Sequence, residues 1–232
     1  MSQMVSPALR LVAKILLGTE WTRLRSEVIR RRAMLTETPH MMPPLVVQRL
    51  LVSGEDHRHA YHNGFDVHAI CRAIWRRIVY DRREGASTIE QQIVRVITNR
   101  FELSLSRKLR EILLATLLSE ILPKSEMPSV YLSIGYFGWR MNGFVQACRT
   151  LGLRPETISF DTAAELVARL KYPQPHVPGP VRLAQIYRRR DHLKMLYWKH
   201  LSDGTYTHLR GEQSNGSIRG RKPAAEFIFP VP

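Results

Sequence analysis

Glu55-Asp56-His57-Arg58-His59-Ala60-Tyr61-His62-Asn63-Gly64-Phe65-Asp66 sets acids and imidazoles side by side in twelve residues. Leu45 to Val52, just before it, reads as a short helix running into Gly54-Glu55-Asp56. After it, Asp66 can N-cap a helix with apolar positions at Ala69, Ile70, Ala73, Ile74 and Ile78. The segment is therefore a polar turn between two helices, a place where sites are often built. It supports three readings. His57, His59 and His62 are close enough in sequence to suggest a metal, but no HExxH or comparable ligand pattern accompanies them, so no metal ligands are assigned. Glu55 could serve acid–base catalysis. The simplest account of this segment alone is a capping and salt-bridge cluster.

Outward from this turn the helical pattern continues. Asp81-Arg82-Arg83-Glu84-Gly85 is a polar loop, and Ser87 with Glu90 fits a capping box opening a helix through about Ile97. Ser106 to Leu122 is strongly helical, and Ser125 to Leu132 starts another helix with Pro128 in its first turn. Thr162 and Glu165 form a second capping box before a helix to Leu170. Pro173, Pro175, Pro178 and Pro180 make a stiff link to a basic helix, Val181 to His200. β-alternation is scarce, so the class is mainly α. Three units follow: a basic amphipathic segment over 1–38, a main domain over 39–200 and a flexible tail over 201–232.

The 232 residues carry a formal charge of +15, and hydrophobic residues make up 44%. A core of ordinary size is expected. The basic excess calls for a polyanionic partner: nucleic acid, anionic lipid or a phosphorylated substrate. No helix-turn-helix, zinc-finger or RNP-like signature supports nucleic acid. Cys71 and Cys148 lack CxxC spacing and read as two buried free thiols, with an isolated disulfide as the alternative. Leu11 to Leu17 is too short to span a bilayer, is interrupted by Lys14 and makes a poor signal peptide. Within residues 1–38, Val5, Leu9, Val12 and Leu16 follow helical spacing among Arg10, Lys14, Arg23 and Arg25. That pattern fits either a helix lying on an anionic membrane or one packed on the domain.

Two further segments carry chemistry. In Gly85-Ala86-Ser87-Thr88-Ile89-Glu90-Gln91-Gln92-Ile93-Val94-Arg95, hydroxyls and a helix N-terminus could hold a sugar or an anion. In Arg107-Lys108-Leu109-Arg110-Glu111, either an ordinary i,i+4 ion pair or a second functional carboxylate held among cations explains Arg107 and Glu111.

In this order the segments resemble the family 51 glycosyltransferases, the transglycosylase module of penicillin-binding proteins and their monofunctional relatives. Glu55, Asp56, His62, Gly64 and Asp66 match E-D-x-x-F-x-x-H-x-G-x-D. Gly85, Ser87, Thr88, Ile89, Gln91 and Gln92 match G-G-S-T-I-T-Q-Q, and Arg107, Lys108 and Glu111 match R-K-x-x-E. Lys124, Tyr131 and Leu132 partly keep a fourth motif, and Arg188, Arg189 and Leu193 echo a fifth. The resemblance covers roughly residues 43–198. It departs at His59 (the family's Phe), Glu90 (Thr), Arg95 (Lys), Val96 (Asn), Leu103 (a phosphate-binding Arg, with Arg100 nearby), Ser119 (Glu) and Ser133 (Asn).

The resemblance implies a lysozyme-like fold with a large lobe and a smaller membrane-facing lobe. It also implies polymerisation of lipid II by inverting transfer from a lipid-pyrophosphate donor to a GlcNAc 4-hydroxyl. Glu55 would be the base and Glu111 the second catalytic carboxylate. Asp56, His62, Ser87, Thr88, Gln91, Gln92, Arg95, Arg107, Lys108 and Lys124 would bind substrate. No cofactor is required, although a divalent cation (Mg or Mn) could assist the pyrophosphate. The partners implied are lipid II, the growing strand, an anionic membrane surface and other cell-wall synthesis proteins. The expected location is peripheral, on the extracytoplasmic face of the inner membrane. The alternative is a non-catalytic relative that binds lipid-linked glycan or a cell-wall partner.

Overall fold

The computed structural model describes residues 6–81 and 85–209. Ten α-helices carry nearly all the regular structure among them: α1 (Pro7–Leu16), α2 (Gly18–Glu37), α3 (Leu45–Glu55), α4 (Val67–Tyr80), α5 (Ile89–Thr98), α6 (Leu105–Ile121), α7 (Met127–Ile134), α8 (Phe144–Thr150), α9 (Phe160–Lys171) and α10 (Pro180–Ser202). A two-stranded antiparallel hairpin, β1 (Tyr136–Gly138) and β2 (Met141–Asn142), lies between α7 and α8. The fold is mainly α, as the periodicity indicates.

Helix α3 is the hub. Val47, Leu50, Leu51 and Val52 are fully buried against α7, α9 and α10, each Leu contributing roughly 2 kcal/mol of burial. Close approach of α10 requires Gly54, where a Cβ would sit 2.5 Å from Leu193 Cδ2. Gly64, at φ +99, turns the chain against α6, and a Cβ there would lie 2.6 Å from the Thr116 nitrogen.

Caps set the helix starts. Asp66 caps α4 as expected, accepting from the His68 N–H at 3.0 Å. The two expected capping boxes are corrected. Thr88, not Ser87, caps α5, accepting from the Gln91 N–H at 3.3 Å, because cations draw Ser87 away. Ser159, not Thr162, caps α9, and Glu165 turns to Arg169 at 2.8 Å.

Both outer boundaries also move. The stripe expected through Val12 and Leu16 is exposed, whereas Ala13 and Leu17 are buried and Arg10 and Lys14 pair with Glu120 of α6. Leu24, Val28 and Leu35 carry α2 into the core, so residues 6–38 pack with the domain; Val5 of the expected stripe lies outside the described residues. At the other end, Tyr206 and Leu209 are buried, and the Tyr206 hydroxyl bonds Ser53 and the Tyr197 carbonyl. The packed fold thus reaches at least residue 209; the rest of the expected tail, like residues 82–84 of the expected loop, lies outside the described residues. Both cysteines are free. Cys148 is buried, but Cys71 is exposed because α4 buries none of its residues.

This C-terminal packing makes stability depend on pH. His200 bonds Ser53 through Nδ1 at 3.0 Å and stacks on His57, with ring centroids 5.4 Å apart. Burial, then His57 and Lys199, lower the His200 pKa from 6.5 against the opposing charge of Asp203. Burial also lowers that of His57. The unfolded chain therefore takes up these protons first. The stabilisation is present above about pH 6.5 and is lost as pH falls below it. Thermal melts should show the midpoint dropping between about pH 7 and 5.5, with a shallower drop in His200→Gln.

Candidate active site

Helix α3 ends by delivering Glu55, whose side chain keeps 20% exposure. Its Oε2 accepts from Gln92 Nε2 at 3.0 Å, and its Oε1 from Arg189 Nη2 at 3.2 Å. Arg189 also donates to the Gly54 carbonyl at 2.7 Å, so α10 fixes the end of α3.

Glu111, on α6, sits among cations and is 3% exposed. It accepts from Arg95 at 2.9 and 3.2 Å, from Lys108 Nζ at 3.1 Å and from Arg107 Nη1. Ser87 Oγ accepts from both Arg95 (3.1 Å) and Lys108 (3.0 Å), and Lys108 also donates to Gln91. Burial lowers the Lys108 pKa, and Glu111 works against that shift.

The two carboxylates are joined through α5. Gln92 holds one and Arg95 the other, and residues three apart share a helix face, about 5–6 Å between Cβ atoms. Tyr131 lies near Glu55 and Arg95: burial and then the Glu55 charge raise its pKa, while Arg95 opposes. Glu55 and Glu111 do not line one pocket. Glu55 lines a cleft of about 270 Å³ with Ser87, Arg58 and Arg72; Glu111 lines another with Arg95, Arg107 and Arg110. Ser87, bonded to Arg95, links the two.

A profile described as transglycosylase matches residues 22–195. The chain belongs to the transglycosylase family. It is 30% identical over 171 residues to penicillin-binding protein 1A of Rickettsia bellii, covering 71% of this chain and 21% of that protein. It is also 30% identical over 178 residues to a Cupriavidus necator protein named as a transglycosylase, covering 73% of this chain and 76% of that one. A Neisseria lactamica penicillin-binding protein 1A is 34% identical over 107 residues, 46% of this chain and 13% of that protein. The chain thus spans about a fifth of the length of the Rickettsia penicillin-binding protein it matches. Family membership and the helical architecture together identify the fold as the lysozyme-like transglycosylase type.

Within this transglycosylase domain the remaining predicted residues turn inward. Asp56 is buried, accepts from His62 Nε2 at 3.0 and 3.1 Å, and accepts from the Ile89 N–H at 3.1 Å. Burial would raise its pKa, but His59 and His62 override this and hold the carboxyl well below the usual range. Thr88 and Gln91 both donate to the Gly64 carbonyl, at 2.8 and 3.2 Å. Lys124 donates to Glu90 and to His62 Nδ1 (3.4 Å) rather than to Glu111. These groups hold the turn after α3 against the start of α5. Of the three imidazoles, His59 and His62 gather there, while His57 stacks on His200.

Sequence reasoning assigned no role to Arg189 on Glu55, which lies 134 residues away. It also did not anticipate a buried Glu90. The motif departures at 59 and 90 were the available signal for the second. Arg100, considered as a phosphate ligand, pairs with Glu20 at 3.2 Å beside Arg110, and Leu103 is 95% exposed. Glu111 is saturated by three cations, and Glu20 is held by Arg100 and Arg110.

Proposed function

We propose that this transglycosylase domain polymerises lipid II, with Glu55 as general base and Glu111 as the anchor of a cationic site for the leaving pyrophosphate. The observation that carries the reading is the unequal setting of two carboxylates tethered one helical turn apart on α5. Glu55 has one cationic partner and remains partly exposed, as a proton acceptor must. Glu111 is enclosed by Arg95, Arg107 and Lys108, which suits it to orient cations and not to accept a proton.

Glu55 takes the proton of the acceptor GlcNAc 4-hydroxyl as that oxygen attacks the anomeric carbon of the donor MurNAc. The bond from that carbon to the pyrophosphate oxygen breaks, and the electron pair leaves with the pyrophosphate. Arg107, Lys108 and Arg95 meet the departing charge; a single well-placed donor supplies on the order of 3 kcal/mol in such a role. Attack opposite the leaving group inverts the centre. Asp56, His62, Thr88, Gln91 and Lys124 position the turn and helix that carry these groups, and Gln92 and Ser87 lie at the reacting edge.

Exposed apolar residues support attachment to a membrane surface, and the family resemblance points to the extracytoplasmic face of the inner membrane. Among the described residues no helix is long and apolar enough to cross a bilayer. Helix α4 exposes Ile74, Trp75, Ile78, Val79 and Tyr80, and α1 exposes Leu11, Ile15 and Leu16. In a chain of charge +15 such faces suit an anionic bilayer, each nearby Lys or Arg contributing about 1 kcal/mol. The test is incubation of the purified chain with lipid II in anionic vesicles. Muramidase-sensitive glycan strands are expected. Retention of lipid II without any polymer would instead support the non-catalytic binding relative.

A further inference from the structure

His59 and Glu90, the two departures noted from the family motifs, face each other inside the domain. Both are 0% exposed. His59 Nε2 lies 3.1 Å from the Lys124 carbonyl, which only accepts, so Nε2 donates there and Nδ1 is left to the neighbouring carboxylates. His59 Nδ1 lies 3.4 Å from Asp56 Oδ2 and 3.9 Å from Glu90 Oε2. Neither His59 Nδ1 nor Glu90 Oε2 has a hydrogen-bond partner, although both are buried. Lys124 occupies the other Glu90 oxygen, Oε1, and His62 Nε2, which donates to the Asp56 carboxylate here, would release that proton to become a ligand. An imidazole nitrogen and two carboxylate oxygens thus meet in the interior, and a buried arrangement of that kind is costly without a metal ion or a proton between them.

We infer that Asp56, His59, His62 and Glu90 form a structural transition-metal site, best matched to zinc. One donor atom from each of the four lies within 4.8 Å of the others. Tetrahedral zinc with ligands at about 2.0–2.2 Å needs donors about 3.3 Å apart, so the observed 3.4 and 3.9 Å close with small side-chain shifts. Mixed imidazole and carboxylate donors suit zinc better than magnesium or calcium, which favour all-oxygen sites. The His59 Nε2–H to the Lys124 carbonyl is the outer hydrogen bond that metal-binding histidines characteristically make. Bound metal would tie the turn after Glu55 to the first residues of α5, just ahead of Gln92. The site is separate from the cations around Glu111 and does not rest on the glycosyl-transfer reading.

The experiment strips the full chain with EDTA, titrates it with zinc chloride by calorimetry, and measures zinc retained after gel filtration alongside the melting temperature. One zinc per chain and a higher melting temperature are expected for the unmutated protein, since a ligand bound only to the folded state stabilises it. The His59→Phe/Glu90→Thr double variant restores the family's residues and should bind about a hundredfold more weakly with no melting shift. If that variant does not fold by circular dichroism, His59→Gln replaces it, with the same loss expected. Zinc retention by the unmutated chain no greater than by the folded variant overturns the site. The cation between these groups is then a proton on His59.

Discussion

Glu55→Gln is expected to lower lipid II polymerisation about a thousandfold, within the range attributed to a positioned general base. The amide keeps the shape of the side chain and one acceptor oxygen, so Gln92 or Arg189 can still bond it, and circular dichroism should report an unchanged fold. The loss should fall on turnover, because Arg95, Arg107 and Lys108 are untouched and still attract the pyrophosphate. Steady-state kinetics on vesicle-embedded lipid II make the check: a fall in kcat at near-constant KM fits a base, whereas a rise in KM alone would make Glu55 a binding residue.

A different signature is expected for Glu111→Gln. Here the carboxylate neutralises three cations in a nearly closed space, and its loss leaves them facing one another. Breaking a buried pair costs about 3–5 kcal/mol, and the lower end applies because Arg95 and Lys108 keep 28% and 29% of their side chains in water. At about 3 kcal/mol the melting midpoint should drop by roughly 10 °C for a domain of this size. Polymerisation should also fall, by about a hundredfold, as the donors lose their fixed directions. Glu55→Gln should leave the melting point nearly unchanged, so the pair of variants separates proton removal from charge organisation. Equal melting temperatures for Glu111→Gln and the unmutated chain would contradict the cation-anchor role.

Where local chemistry decides structure, the sequence was readable. Asp66 before an apolar period marked the start of α4, and Leu45 to Val52 marked a helix that runs into Glu55. The two candidate carboxylates, Glu55 and Glu111, were legible because ordered motifs named them. What escaped depended on contacts between distant residues. Ser87 has the chemistry of a cap, but Arg95 and Lys108 claim it and Thr88 takes the cap. Glu90 fits a capping box by spacing, yet Lys124, 34 residues away, holds it in the interior. Tyr206 lies in a polar stretch, and only the space beside Ser53 and Tyr197 makes it a core residue. At the N-terminus the spacing showed the helix but not which face packs: Glu120 holds Arg10 and Lys14 against α6, and Val12 and Leu16 face outward.

The central claim is that one edge of α5 brings a sugar hydroxyl to Glu55 while the pyrophosphate lies among the cations of Glu111. Its most direct test is a crystal structure with a non-reactive lipid-pyrophosphate disaccharide and an acceptor sugar. The account predicts the acceptor hydroxyl about 2.6–3.2 Å from a Glu55 oxygen, with pyrophosphate oxygens bonded to Arg107, Lys108 or Arg95. A ligand held away from Ser87, or with its pyrophosphate on the far side of Glu55 from these three cations, would contradict it.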